Sequence, residues 1–217
     1  EYYFKIFYHY SGGDDVFIVG AWDEIIGFAV DLNDALKEYS QNKLTISAGI
    51  GIYPEKYPVS AMARQTGELE EMSKSQDGKN SITVFGEGNT YKWDEFVNDV
   101  ICDKYVVIKD FFKCEKDKAD GQKRGKAFLY RMLNLMRNHL AETEKQKGEK
   151  LNLARFAYVL SRLEPDSESD SYVKYKEFSR NMYKWIKDKK QCRQAITAIY
   201  MYVYTIRERE DDDNDYK

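Results

Sequence analysis

Apolar and polar positions change period several times along the chain, and each change predicts an element. Residues 2–10 are almost continuously aromatic or branched, the pattern of a buried strand. Ser11-Gly12-Gly13-Asp14 then supplies turn chemistry, and Val16-Phe17-Ile18-Val19 gives a second apolar run. Two such runs around a Gly-Gly turn predict a β-hairpin with buried strands on both sides. From Trp22 to Tyr39 the apolar residues Trp22, Ile25, Ile26, Ala29, Leu32, Leu36 and Tyr39 recur at helical spacing. Residues 44–52 alternate like a strand, with Gly49 and Gly51 inside and Tyr53-Pro54 ending it. Val59 to Lys74 reads as a second helix carrying Met62, Leu69 and Met72 on its apolar stripe, and residues 81–85 read as a short strand after the Asp77-Gly78 turn.

The order through Phe85 is β-β-α-β-α-β. An antiparallel sheet with helices on one face satisfies it, as in a ferredoxin-like palm without its opening strand and helix. After Gly86-Glu87-Gly88-Asn89 the period becomes helical throughout, over residues 93–112, 127–140, 151–163, 172–185 and 193–206. Polar connectors separate these segments, so a helix bundle follows from about residue 90. The expected class is therefore α+β: a partial palm over residues 1–88, an all-α bundle over 89–210 and a solvated, mobile acidic tail over 211–217. No internal repeat interrupts this division.

Composition adjusts the picture only at the margins. With 217 residues, 42% apolar and 33% charged, the chain has the material for a core and is not a disordered segment. A net charge of −3 carries no global signal for nucleic acid, so any such contact has to be local. Cys102, Cys114 and Cys192 are widely spaced and form no Cys-x-x-Cys pair, which excludes a disulfide framework or zinc site and points to a reducing cytoplasm. Two histidines, His9 and His139, give no basis for a His-ligated metal. No apolar run has the length of a membrane span, and no secretory leader pattern opens the chain. The first residues, Glu1-Tyr2-Tyr3-Phe4, lack Met and lie inside an apolar run, so a piece of a longer protein is expected.

The candidate chemistry sits at the hairpin tip. Hard cations such as Mg²⁺ take oxygen ligands and keep several waters, so two carboxylates plus substrate phosphates make a typical site. Neighbouring strand residues point to opposite faces, but the twist at a hairpin tip relaxes this and lets Asp14 and Asp15 reach one metal centre. Gly12 and Gly13, lacking Cβ, let phosphates approach the backbone. Two cations held there activate a ribose hydroxyl and stabilise departing pyrophosphate. An ordinary turn with solubilising acids has the same residue types. Strands on both sides favour the catalytic reading, because a rigid platform holds functional groups in geometry.

The run Tyr10-Ser11-Gly12-Gly13-Asp14-Asp15-Val16 resembles the Gly-Gly-Asp-Asp signature of the large, polymerase-like subunit of type III CRISPR effector complexes. Those palms are related to the diguanylate cyclases. Thr45-Ile46-Ser47-Ala48-Gly49-Ile50-Gly51 resembles the strand after the first helix in both groups, and Ser73 to Asn80 resembles the end of the next helix with its Gly-Arg/Lys-Asn turn. The similarity covers residues 1 to about 85, and the helical remainder resembles the C-terminal domain of the CRISPR subunit.

The resemblance implies a nucleotidyltransferase that joins ATP into cyclic oligoadenylates when its complex, with crRNA, binds target RNA. Asp14 and Asp15 would hold two Mg²⁺ or Mn²⁺ ions, while Ser11, Gly12 and Gly13 would lie against the ATP. Lys79 and Lys74 would contact the triphosphate, at a mutual spacing one residue longer than in the cyclases. Other subunits of the complex would be partners of the helical domain. Asp15 and Val16 replace the Glu and Phe of the cyclase signature, which argues against cyclic di-GMP synthesis. The palm's opening strand with a further acidic ligand, the nuclease domain and the other palm-like domain of such subunits would lie outside this chain, leaving the fragment itself inactive. A GTP-using cyclase and a non-catalytic scaffold are the competing readings.

Other features read plainly. Lys113, Lys116, Lys118, Lys123, Arg124 and Lys126, interrupted by acids, read as a mixed-charge solvated connector, with RNA phosphates as the alternative. Tyr172, Tyr175, Phe178, Tyr183 and Trp185 read as core, part of which can face a neighbouring subunit. His9 and Cys102 read as packed core residues, and His139 as a charge near a helix C-terminus.

Overall fold

The structure, a computed structural model, describes residues 6–116, 126–144, 149–167 and 171–215. The first two apolar runs do form a hairpin. Strand β1 (Ile6–Gly12) pairs antiparallel with β2 (Asp15–Gly20), in a register that sets Ser11 opposite Val16 and Gly12 opposite Asp15. Ser11 and Gly12 therefore belong to the strand, and the turn narrows to Gly13 and Asp14. The expected burial does not follow: Tyr10 is 59% exposed, Val16 56% exposed, and the rest of β2 only half-buried. Among the described residues the pair joins no third strand, and helix α1 (Trp22–Tyr39) is what packs on β2.

The remaining strands make a second sheet of three. Here β3 (Ala48–Ile50) pairs parallel with β4 (Ser81–Val84), which pairs antiparallel with β5 (Thr90–Lys92). The all-antiparallel expectation is thus corrected to a hairpin plus a mixed sheet. A parallel neighbour needs a crossover, and α2 (Val59–Lys74) supplies it by packing on both β3 and β4. Residues 44–47 fall outside the strand, their place held by the Trp93 indole N–H donating to the Ile46 carbonyl at 2.9 Å. β5 went unread because three residues are too few for periodicity. Polar-apolar-polar alternation after the Gly88-Asn89 turn, with Tyr91 buried, is the trace it left.

Gly49 explains how closely helix and sheet approach. A Cβ on it would lie 2.5 Å from the Glu70 amide nitrogen and the Thr66 carbonyl oxygen, both backbone atoms that cannot step aside.

Contacts divide the chain into two compact units, Glu1–Val97 and Asn98–Lys217. The second is entirely helical in its described residues. After α3 (Trp93–Glu95) comes a π-helix, Phe96–Tyr105, then α4 (Val106–Lys116), α5 (Lys126–Glu144), α6 (Glu149–Ser161), α7 (Ser171–Lys187) and α8 (Lys189–Asp215). The whole is an α+β palm followed by a helical region.

Within the π-helix one expectation is corrected and a lysine is buried. With i→i+5 hydrogen bonds a turn takes more than four residues, so the buried stripe advances in steps of four: Phe96, Val100, Lys104, Ile108. Cys102, expected as a packed core residue, is exposed. Lys104 goes in instead, only 2% exposed. Its ammonium donates to the Asp99 carbonyl at 3.2 Å and to Asp103 Oδ2 at 3.1 Å, and lies 5.4 Å from the Trp185 ring centroid.

His139 is likewise buried within α5, not at a helix end. The aromatic stripe of α7 splits: Tyr175, Phe178 and Trp185 are core, while Tyr183 is exposed. Helix α8 (Lys189–Asp215) includes the first five residues of the acidic tail. Most of the lysine-rich connector, residues 117–125, lies outside the described residues.

Cys102 and Cys192 differ in a way that can be measured. Burial pushes the Cys192 thiol up to about 12 from 9.0, so its thiolate is absent at neutral pH. At pH 8 a maleimide is expected to modify the exposed Cys102 in the folded chain and leave Cys192 intact until denaturant is added, read by peptide mass spectrometry. Modification of Cys192 at a rate near that of Cys102 would contradict the packing. Because a raised thiol pKa favours the protonated form only in the folded state, stability should fall as pH rises from about 9 toward 12.

Candidate functional site

The hairpin tip is a two-residue loop with Gly13 at its first position and φ of +65°. Glycine there with a following residue outside the left-handed region is the pattern of a II′ turn, whose twist matches that of paired strands. Asp14 therefore stands at the tip and Asp15 opens β2, both exposed. Nothing lies within 4 Å of where a Gly13 Cβ would be, whereas a Gly12 Cβ would lie 2.6 Å from the Tyr10 hydroxyl. The loop thus presents two adjacent carboxylates and a bare backbone to solvent, with Ser11 exposed beside them on β1.

As donors these two side chains suit a hard cation: both offer carboxylate oxygens and both are open to water. Among the described residues no group of three or more His, Cys, Asp or Glu side chains is gathered to hold a metal. The pair by itself would offer a cation two carboxylate ligands, fewer than a closed protein site supplies.

Lys74 comes within electrostatic reach of the hairpin. Its ammonium is held chiefly by Glu70, at 2.8 Å, with Glu71 at 3.8 Å. The hydrogen bond it donates to Glu70 raises its pKa above 10.5, and attraction to Asp15 adds in the same direction. It is a charged cation committed to its own helix. Lys79 lies in the next loop with its side chain exposed, in the left-handed region at φ +49°. Lys74 is thus tied electrostatically to Asp15.

What the sequence reading missed is the polar seam that fixes the end of α2 to the sheet. Ser73 Oγ donates to the Ala48 carbonyl at 2.7 Å and meets Thr83 Oγ1 at 2.7 Å, and Thr83 Oγ1 meets Thr90 Oγ1 at 2.9 Å. Ser81 Oγ closes the seam on the Ser73 carbonyl at 2.8 Å. Ser73, Ser81 and Thr83 are buried, and such a satisfied network rigidifies the place where Lys74 leaves the helix. The signal was the alternation Ser81-Ile82-Thr83-Val84, which puts two hydroxyls on one face of β4.

Comparison with known proteins bears on both units. Residues 2–83 match the family described as Cas10/Cmr2, second palm domain, and residues 109–208 match the CRISPR RNA silencing complex Cmr2 subunit, second helical domain. The chain is similar to proteins named CRISPR system single-strand-specific deoxyribonuclease Cas10/Csm1 (subtype III-A). The Streptococcus thermophilus protein is 42% identical over 199 residues, 91% of this chain and 24% of that protein. Its Mycobacterium tuberculosis counterpart is 37% identical over 203 residues, 94% of this chain and 23% of the relative. The chain thus spans about a quarter of the length of the curated relatives it matches.

Proposed function

The chain belongs to the Cas10-like large subunits of type III CRISPR systems, and from that membership we propose that its palm unit joins ATP into cyclic oligoadenylates. The observation that carries the reading is the II′ tip with Asp14 and Asp15 exposed side by side and Lys74 in charge reach of Asp15. Asp14 and Asp15 hold Mg²⁺ or Mn²⁺. The two carboxylates would hold the cations, whose charge would acidify the attacking ribose hydroxyl and offset that of the leaving pyrophosphate. Gly12 and Gly13 admit the phosphates, Ser11 flanks them, and Lys79 with Lys74 takes the triphosphate. Asp15 followed by Val16 favours ATP oligomerisation over GTP cyclisation. The helical unit contacts neighbouring subunits, and crRNA with target RNA act through the assembled complex. Among the described residues no helix is long and apolar enough to cross a membrane.

The test uses the full-length subunit in its complex, supplied with Mg²⁺ or Mn²⁺ and either ATP or GTP, with and without target RNA. Cyclic adenylates that appear with ATP and target RNA are the expected products. Products from GTP would favour the cyclase reading, and no nucleotide product under any condition would favour a scaffold.

A further inference from the structure

We propose that Lys92 is a positioning residue for the nucleotide site: its ammonium clamps the left-handed loop Gly78-Lys79-Asn80 from beneath and so presents the Lys79 side chain to triphosphate. The inference deepens the functional reading above and rests on it. Three successive residues in this loop have positive φ: Gly78 at +69°, Lys79 at +49° and Asn80 at +50°. Glycine adopts that region freely and asparagine tolerates it, but lysine has no side-chain means of offsetting the clash of its Cβ. A run of this kind persists only where surrounding bonds over-determine it.

Those bonds converge on the loop's carbonyls. The Lys92 ammonium donates to the Lys79 carbonyl at 2.5 Å and also to the Asp77 carbonyl. The Ser81 hydroxyl, whose one proton also reaches the Ser73 carbonyl, lies 3.1 Å from the same Lys79 carbonyl, and the Lys79 amide donates to the Gln76 carbonyl at 2.8 Å. The sheet sets the ammonium in place, because Lys92 lies directly opposite Ser81 in the β4–β5 register. β5 is itself held on both sides of Lys92: Thr90 bonds Thr83, and Trp93, 1% exposed, donates to Ile46. With its carbonyl committed to Lys92, Lys79 remains exposed.

Two lysines thus divide the work. One supplies donors to the backbone from a rigid strand, and the other faces the ligand from a loop that cannot hold its own conformation. Ammonium-to-carbonyl bonds are charge-assisted, which suits a clamp at a solvent-exposed position where neutral bonds contribute little.

The test is made on the full-length subunit in its complex, with Lys92→Met, Lys92→Arg and Lys79→Ala. Lys92→Met is expected to speed amide exchange across residues 77–80 and to raise KM for ATP roughly three- to tenfold, leaving kcat within about twofold. Lys92→Arg should restore both, because a guanidinium also carries donors for two carbonyls. A variant that merely loosened the fold would lower kcat and active fraction without moving KM. Unchanged exchange at 77–80 in Lys92→Met overturns the clamp. So does a raised KM in Lys79→Ala with none in Lys92→Met. Were Lys79→Ala itself to leave KM unchanged, the nucleotide role of the loop would fail and the positioning role with it, even with faster exchange in Lys92→Met.

Discussion

Replacing Asp14 and Asp15 together by alanine is expected to cut oligoadenylate output of the assembled subunit by roughly a thousandfold or more. Both carboxylates stand exposed at a II′ tip, so their loss removes oxygen donors without opening a cavity. Surface changes of that kind move stability by only about 0.5 kcal/mol, and complex assembly should survive. The expected pattern is therefore an intact complex of unchanged thermal midpoint, still loading crRNA, with no product. Asn at either position keeps one neutral oxygen and should leave a partial defect, eased by raised Mn²⁺. Output within tenfold of the parent in the double variant would sink the assignment of these acids.

The second large effect concerns the helical unit. Phe178→Ala should destabilise that unit by about 3–5 kcal/mol, a large share of the ~5–15 kcal/mol that stabilises an ordinary domain. Phe178 is 2% exposed. Its ring stacks on Phe111 with centroids 4.1 Å apart and planes at 5°, and meets Phe112 edge-on at 5.7 Å. Truncation empties the contact between α4 and α7, where Phe112 also packs on Tyr202 of α8, so three helices lose their shared filler. Tyr183→Ala on the exposed side of the same helix serves as the control and should cost under about 1 kcal/mol. Denaturant unfolding of the chain, followed by near-ultraviolet circular dichroism, separates the two. A Phe178 loss no larger than that of Tyr183 would show that the aromatic cluster is not the centre of this unit.

Helix positions were legible because their signal is long. The spacing of Trp22 to Tyr39 and of Val59 to Lys74 returned both helices to the residue, since four or more turns repeat the same apolar face. Strand bounds were less legible. Residues 44–52 alternate for nine positions, yet only Ala48–Ile50 pairs, because pairing depends on the length of β4 and on the crossover that α2 imposes. The π-helix left no readable trace. Lys104 looks like a surface cation until a wider turn carries it under Trp185, and Cys102 looks apolar until the same turn carries it out.

The site divides in the same way. A Gly-Gly-Asp-Asp string between two apolar runs already implies a tight hairpin with paired acids, because glycine is the residue that accepts φ > 0 at such a tip. Lys74 could be named as a basic helix end, but not that Glu70 holds it or that Asp15 attracts it. Those depend on which turn of α2 faces the hairpin. The seam around Ser73 and the clamp of Lys92 on the Lys79 loop join residues 7 to 25 positions apart, and their β4–β5 part exists only once those strands are in register. Local chemistry, which sets turns, helix faces and ligand types, was therefore written along the chain. Distances between elements were decided by packing, because a hydrogen bond or a charge pair depends on a separation that no local pattern encodes.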